Sequence, residues 1–371
     1  MRRLTLFLIL IACAAPAWAT TTITWGSGPW YVNTSTGSNN TSCGAVGSPC
    51  ASLNYILNTI TWSNSGTGAA IIECDGNAAD ATAATVPAKT GTDPTHFIQI
   101  QTTGANRHTG TWDATKYRLA VANATALIIN NDYTVIDGLQ ITNSQNGNLQ
   151  DVVRIGALTN GANQVVISNS ILYGGGSGTY YQRGVAANGN YAQVFLFNDL
   201  VYNFPSISTS GSFPVYQSAT GGVLSVYSST LIGGYYGLDN LTGTMTAKNV
   251  YAGGSTNGDY HGTIGLTTCA SSDATGSSSP AGLRSVAVST TADSTHAGFT
   301  NITGGSENYL VKVGSPLVNT GTDTHGDAAP MNFTTDIIGI SRPQGAGWDI
   351  GAFELSAGRT VHWLIGSGFI K

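Results

Sequence analysis

Val165-Val-Ile-Ser-Asn-Ser-Ile-Leu-Tyr173 is an apolar run, a short polar break and a second apolar run, and the chain repeats this phrase. It returns as Thr134-Val-Ile-Asp-Gly-Leu-Gln-Ile141, Val194-Phe-Leu-Phe-Asn-Asp-Leu-Val-Tyr202, Leu224-Ser-Val-Tyr-Ser-Ser-Thr-Leu-Ile232 and Met245-Thr-Ala-Lys-Asn-Val-Tyr251. With Leu139, Ile171, Leu200, Leu231 and Val250 taken as equivalent, the steps are 32, 29, 31 and 19 residues. Self-similarity at that spacing marks a stacked solenoid, in which each unit buries its apolar side only against its neighbours.

Neighbouring side chains of a strand point to opposite faces, so directions follow from the repeat. With the five anchors inward, Ile141, Tyr173, Tyr202, Gly233 and Ala252 also point inward. Two residues before the anchors stand Asp137, Asn169, Asn198, Ser229 and Lys248, a polar file expected at a turn and held by stacked side-chain hydrogen bonds. Next to the anchors, Gln140, Leu172, Val201, Ile232 and Tyr251 form an outer file that is mostly apolar. Such a file needs a cover, either the protein's own loops and tail or another subunit.

Working outward, Ser48 to Ile60 changes to a helical period, with Ser48 as N-cap, Pro49 in the first turn and Leu53, Ile56, Leu57 and Ile60 on one face. A short helix there is expected to cap the open end of the solenoid. Residues 1–19 carry Arg2 and Arg3, an apolar stretch from Leu4 to Ala12 and the small-residue site Ala17-Trp18-Ala19, the pattern of a secretory signal peptide. Leu10-Ile-Ala-Cys13 offers the alternative of a lipoprotein acylated on Cys13. The expected division is a signal peptide over 1–19, a strand and capping helix over 20–66, the solenoid over 67–354 and a tail over 355–371.

Of 371 residues, 9% are charged and the formal charge is −5, or −7 once Arg2 and Arg3 are removed with the leader. That balance argues against nucleic acid as a partner, which requires a basic excess. A 41% share of apolar residues argues against disorder. Beyond the leader, Cys43 and Cys50 can close a local loop, or either can pair with Cys74, while Cys269 falls several coils away. No paired Cys-x-x-Cys or clustered histidines point to a metal.

Several phrases together resemble one family. Trp30-Tyr-Val-Asn-Thr-Ser-Thr-Gly37 with Ser48-Pro-Cys-Ala-Ser-Leu53 is similar to the opening of the right-handed parallel β-helix proteins of the pectate-lyase-like superfamily, secreted bacterial members above all. Tyr309-Leu-Val-Lys-Val-Gly-Ser-Pro-Leu-Val-Asn-Thr-Gly321, Asp336-Ile-Ile-Gly-Ile-Ser-Arg-Pro343 and Asp349-Ile-Gly-Ala-Phe-Glu354 resemble their closing coil. The resemblance covers residues 30 to 354 and implies an all-β, right-handed parallel β-helix. It does not imply one activity, because the superfamily holds lyases, hydrolases, phage fibres and adhesins.

A polysaccharide lyase needs a base and a cation or calcium to neutralise the uronate. The grouped aspartates and arginine motif of the family's lyases are absent from the sequence, as are the paired aspartates and Gly-His-Gly of its polygalacturonases. His261, in Asp259-Tyr-His-Gly262, is a faint echo of the latter. Arg154, Arg183 and Lys248, the cations of the central coils, and Asp199, among the aspartates there, are the catalytic candidates that remain. Tyr180, Tyr181, Tyr235 and Tyr236 beside glycine-rich segments are the candidates for stacking on sugars. His108, Trp112, Asp113, Lys116 and Arg118 gather in one segment that either lines a groove or pins a loop to the first coils. The function expected is a secreted or surface-attached protein that binds extracellular polysaccharide without a cofactor. The alternatives are a polysaccharide lyase or glycoside hydrolase, with calcium if a lyase, and a homo-oligomeric fibre or adhesin subunit.

Overall fold

The computed structural model describes residues 20–144, 150–156, 158, 163–175, 181–189, 193–205, 211–273, 275, 298–302 and 304–356. The expected leader with Cys13, Tyr180 and the tail beyond 356 lie outside them.

The chain winds into a parallel β-helix with three faces. One coil consists of Tyr133–Asp137 on the first face, Gln140–Ser144 on the second and Gln150–Ile155 on the third; the next repeats it as Gln164–Ser168, Ile171–Gly174 and Gln182–Ala187. Each strand pairs in parallel with its counterpart one coil on. The thirteen-residue strand Tyr236–Lys248 rounds the corner from the third face to the first, so those two faces form one 14-stranded sheet beside the separate 8-stranded sheet of the second face.

Register piles aliphatic side chains into three inner columns. Ile72, Ile100, Ile136, Ile167, Leu196 and Val226 line the first face; Leu119, Ile141, Leu172, Val201, Leu231 and Ala252 the second; Leu127, Val153, Val185, Val215 and Leu238 the third. All belong to a single buried core, and burying each such side chain stabilises the fold by roughly 1.5–3 kcal/mol.

The corner between the first and second faces is a file of left-handed residues: Gly138, Asn169, Asn198, Ser228, Asn249 and Thr268, with φ between 42° and 74°. Asparagine tolerates this conformation because its side chain bonds locally. Asn198 Nδ2 donates to Asn169 Oδ1 at 3.2 Å and Asn169 Nδ2 to Asp137 Oδ1 at 2.6 Å. The stacked amides expected from the sequence are therefore present, but Gly138, Ser228 and Asn249 hold the turn instead of Asp137, Ser229 and Lys248.

That one-residue difference corrects the inward assignment. Ile171 and Leu200 stack, but their neighbours on either side are Gln140 and Thr230, not Leu139 and Leu231. Ile171, Leu200 and Tyr202 point outward, and Leu172 and Val201 fill the interior. Both faces of these strands are apolar, so alternation alone does not say which is inside.

The outer apolar file is covered by the chain itself. Among the described residues the parallel pairing runs as far as Ala270–Ser271. Further on, an antiparallel pair, Phe299–Asn301 with Asn308–Val311, and a run of turns lie across the second face. Phe299, Tyr309, Val311, Leu317, Ile337, Ile350 and Phe353 form with Ile171, Leu200, Tyr202 and Tyr251 a second hydrophobic core. The closing phrases supply a buried ionic knot under this cover. Arg342 Nη1 donates to Glu354 Oε2 at 3.2 Å, Glu354 N to Asp336 Oδ2 at 2.9 Å and Asp349 N to Glu354 Oε2 at 3.0 Å. Gly351 N then reaches Asn249 O on the coils at 2.8 Å.

At the other end, the helix Leu53–Asn58 starts at Ser52, not Ser48; the Ser52 hydroxyl accepts from Tyr55 N. The helix packs on Ala84–Val86, the outermost strand of the third face, and Leu53 N donates to Asp80 Oδ2 at 2.7 Å. Cys43 and Cys50 form a disulfide, and Cys74 and Cys269 are buried and unpaired.

Candidate functional site

The second face carries a cleft with walls from two distant parts of the chain. One wall is residues 104–117, an excursion between first-face and second-face strands; the other is the loop of the antiparallel pair at 304–308; Tyr173 and Tyr202 form the floor. The cleft encloses about 360 Å³, lined by Thr111, Trp112, Tyr173, Tyr202, Glu307 and Asn308 among others. A second depression of about 400 Å³ lies across Trp112 and Tyr173, over Ala120, Ala122, Thr142 and Ser144. The two half-buried rings thus border both spaces, with centroids 5.3 Å apart and planes inclined by 35°.

The walls are fixed before any ligand arrives. Gln140, on the second face, accepts from Asp113 N at 2.6 Å and donates to Asp113 O at 3.0 Å, clamping the backbone beside Trp112. Arg107 pairs with Asp137 at 2.8 Å. His108 Nε2 donates to the Asn169 carbonyl at 2.8 Å while Nδ1 accepts from Gly110 N, which sets the tautomer. Burial, helped by the charge of Arg107, pulls the His108 pKa down to about 4, so this imidazole is neutral near pH 7. Gly110, at φ 88°, lies against Phe353; a Cβ there would stand 2.6 Å from Cε1. The segment that the sequence left open therefore both pins the loop and lines the groove.

Behind the floor, edge-to-face contacts run from Tyr173 to Tyr202, Tyr309, Phe299 and Tyr251 with centroids 5.1 to 5.3 Å apart. Burial, and then the Glu307 carboxylate, push the Tyr173 and Tyr202 phenols up, which keeps both hydroxyls protonated. Aromatic surface with a few fixed polar groups is the composition of a small-ligand or sugar subsite. Sequence reasoning missed Tyr173, Tyr202 and Glu307, because the cover that brings Glu307 to the cleft is more than 100 residues from the floor.

The structure separates the candidates chosen from sequence. Arg154 and Arg183 meet on the third face, both on the fully buried Asp151: Arg183 Nε lies 2.6 Å from Oδ1 and Arg154 Nε 2.6 Å from Oδ2. Lys248 is elsewhere, on the first face, paired with Asp327 at 2.7 Å. Asp199 is fully buried at the inner side of the corner, where it accepts from Ser170 N at 2.8 Å and burial pushes its carboxyl well up. Tyr181 packs on Gly211, where a Cβ would stand 2.5 Å from its ring.

Tyr235 and Tyr236 belong to a ladder of rings along the third face. Tyr236 stacks on His261 at 3.9 Å, Phe213 lies parallel to Tyr236 at 6.1 Å and to Tyr216 at 5.3 Å, and Arg183 covers Tyr216 at 4.7 Å. Tyr236, with Phe213 and His261 parallel to it, does not offer its faces to a sugar, while Tyr235 meets Tyr236 edge to face at 4.8 Å. At the end of this ladder His261 Nδ1 lies 2.7 Å from Asp239 Oδ1, and the histidine side chain is 43% exposed. Among the described residues no three of His, Cys, Asp and Glu are placed to hold a metal ion, and no helix is long and apolar enough to cross a membrane.

No protein-family model matches the chain, and no curated protein does. Among solved structures, the crystal structure of pectate lyase Pel9A is similar to it, with 13% sequence identity over 91% of this chain and 97% of that chain and a TM-score of 0.30. A likeness of that depth carries nothing about chemistry, and the fold stands on the strand pairing itself.

Proposed function

We propose that the protein is an extracellular β-helix that binds polysaccharide, with the cleft of Trp112, Tyr173 and Tyr202 as its sugar subsite. The observation that carries this reading is the Trp112 and Tyr173 ring pair, held rigidly between two depressions in line with the coils. Rigid rings cost little entropy on binding, and sugars present apolar faces to them. The Cys43–Cys50 disulfide fits an oxidising compartment, in agreement with the leader at residues 1–19. Partnership with another subunit loses its motive, because the apolar outer file is occupied by the protein's own C-terminal segment.

The cations a lyase would use are engaged in ion pairs, Arg154 and Arg183 with Asp151 and Lys248 with Asp327. One observation favours an enzyme: a half-exposed His261 oriented by the buried Asp239, the arrangement of a general base.

Affinity electrophoresis of the mature protein in polysaccharide gels tests the two readings together. Retardation without product, lost in Trp112→Ala, is the result expected for binding. Release of reducing or unsaturated ends that disappears in His261→Ala replaces it with the enzyme reading. A wild-type protein retarded by none of the glycans, or a Trp112→Ala variant retarded as strongly as wild type, overturns the assignment of the cleft.

A further inference from the structure

Among the described residues that line the cleft, one is charged, and it is negative. Glu307 lines it with Trp112, Tyr173 and Tyr202, and none of the described lining residues is a lysine, arginine or histidine. Glu307 makes no hydrogen bond or ion pair with another described residue, whereas Asp113, Asp137, Asp151 and Asp327 nearby or on the coils are all engaged. The rings add to its field, since the face of an aromatic ring is the negative end of its quadrupole. The formal charge of the whole chain is negative as well.

A uronate or sulfated glycan would place its anion against this carboxylate with no cation to compensate, a like-charge contact in partly desolvated surroundings. An ammonium group would gain an ion pair with Glu307 and cation–π contacts with the rings. We infer that the cleft selects glycans bearing a free amino group, glucosamine units in particular, and discriminates against polyuronates. This rests on the reading of the cleft as a sugar subsite and adds the chemical class of its ligand. The sugar ring stacks on Trp112 or Tyr173, its hydroxyls meet Thr111 and Asn308, and its ammonium faces Glu307.

Titration of the mature chain with three oligosaccharides of equal length separates this from the underlying reading: fully deacetylated chito-oligosaccharide, its N-acetylated counterpart and oligogalacturonate. The deacetylated ligand is expected to bind at least about tenfold more tightly than the acetylated one, with oligogalacturonate weakest. Glu307→Gln, checked by circular dichroism for retained fold, brings the two chito-oligosaccharides within about twofold of each other. Asp323→Asn, an exposed carboxylate outside the cleft, leaves the preference unchanged and controls for general attraction to a polycation. Equal binding of amine and acetamide forms, a preference that survives Glu307→Gln or tightest binding of oligogalacturonate overturns the inference. If such binding is still lost in Trp112→Ala, the sugar subsite itself stands. Absence of any Trp112-dependent binding removes both.

Discussion

Ile171 and Leu172 are consecutive on one strand and both fully buried, yet they lie in different hydrophobic cores. Leu172 fills the interior of the coils; Ile171 faces outward into the second core, which the C-terminal segment completes with Phe299, Ile350, Phe353 and their neighbours. The solenoid thus has an inside and a covered outside, and the cleft opens at the edge of the cover. Truncating each residue should cost about 2–5 kcal/mol, but through different motions. Leu172→Ala is expected to lower the global unfolding midpoint. Ile171→Ala is expected to loosen residues 299–355 first, so limited proteolysis should clip that segment while the β-sheet circular dichroism persists.

Asn169 combines two roles at the corner, a left-handed φ of 50° and the amide rung between Asp137 and Asn198. Both Asn169→Gly and Asn169→Ala remove the rung, but glycine adopts the left-handed φ freely, whereas alanine keeps a β-carbon there without the local side-chain bonding that offsets it in asparagine, at about 1–2 kcal/mol. Chemical denaturation should therefore rank wild type above glycine and glycine above alanine. An alanine variant as stable as the glycine variant would remove the backbone from the explanation.

His108 makes stability depend on pH in a defined direction. Its imidazole titrates near about 6.5 when unfolded and at about 4 in the folded chain, so the folded state disfavours the proton. Its contribution is complete above pH 6.5 and is lost as pH falls through the window to 4, by about 3 kcal/mol. Asp259, pushed up to about 6 by burial, acts oppositely, since stability from it is lost as pH rises through 6. Both proteins in a comparison with His108→Gln share Asp259, so the difference isolates the histidine. Relative to that variant, wild type should lose stability between pH 7 and 4; a difference that stays flat refutes the assignment.

Asp151 is the common partner of Arg154 and Arg183, and its side chain is fully enclosed. Asp151→Ala leaves two guanidinium groups without their anion and should destabilise by about 3–5 kcal/mol. Arg154→Ala, at a side chain 35% exposed, should cost no more than about 1 kcal/mol. Sugar retention by the folded fraction is expected to match wild type in both, because this cluster lies on the third face. Weakened retention with an intact fold would return these residues to the binding site.

Much of this could be read from the residues in order. The recurrence of apolar runs at about thirty residues predicts a coil, and the Asn169 and Asn198 positions mark its corner, because period and turn chemistry are local properties. The Cys43 to Cys50 spacing likewise allows the bridge that forms. What tertiary structure decided was which apolar face turns inward, since strands apolar on both sides satisfy alternation either way. Gly138 takes the corner position that Asn169 holds one coil on, so Gln140, not Leu139, stands beside Ile171. The cleft depends on the same level of organisation: Trp112, Tyr173 and Glu307 share no local pattern, the 104–117 excursion sets Trp112 against Tyr173, and the C-terminal cover of the second face adds Glu307.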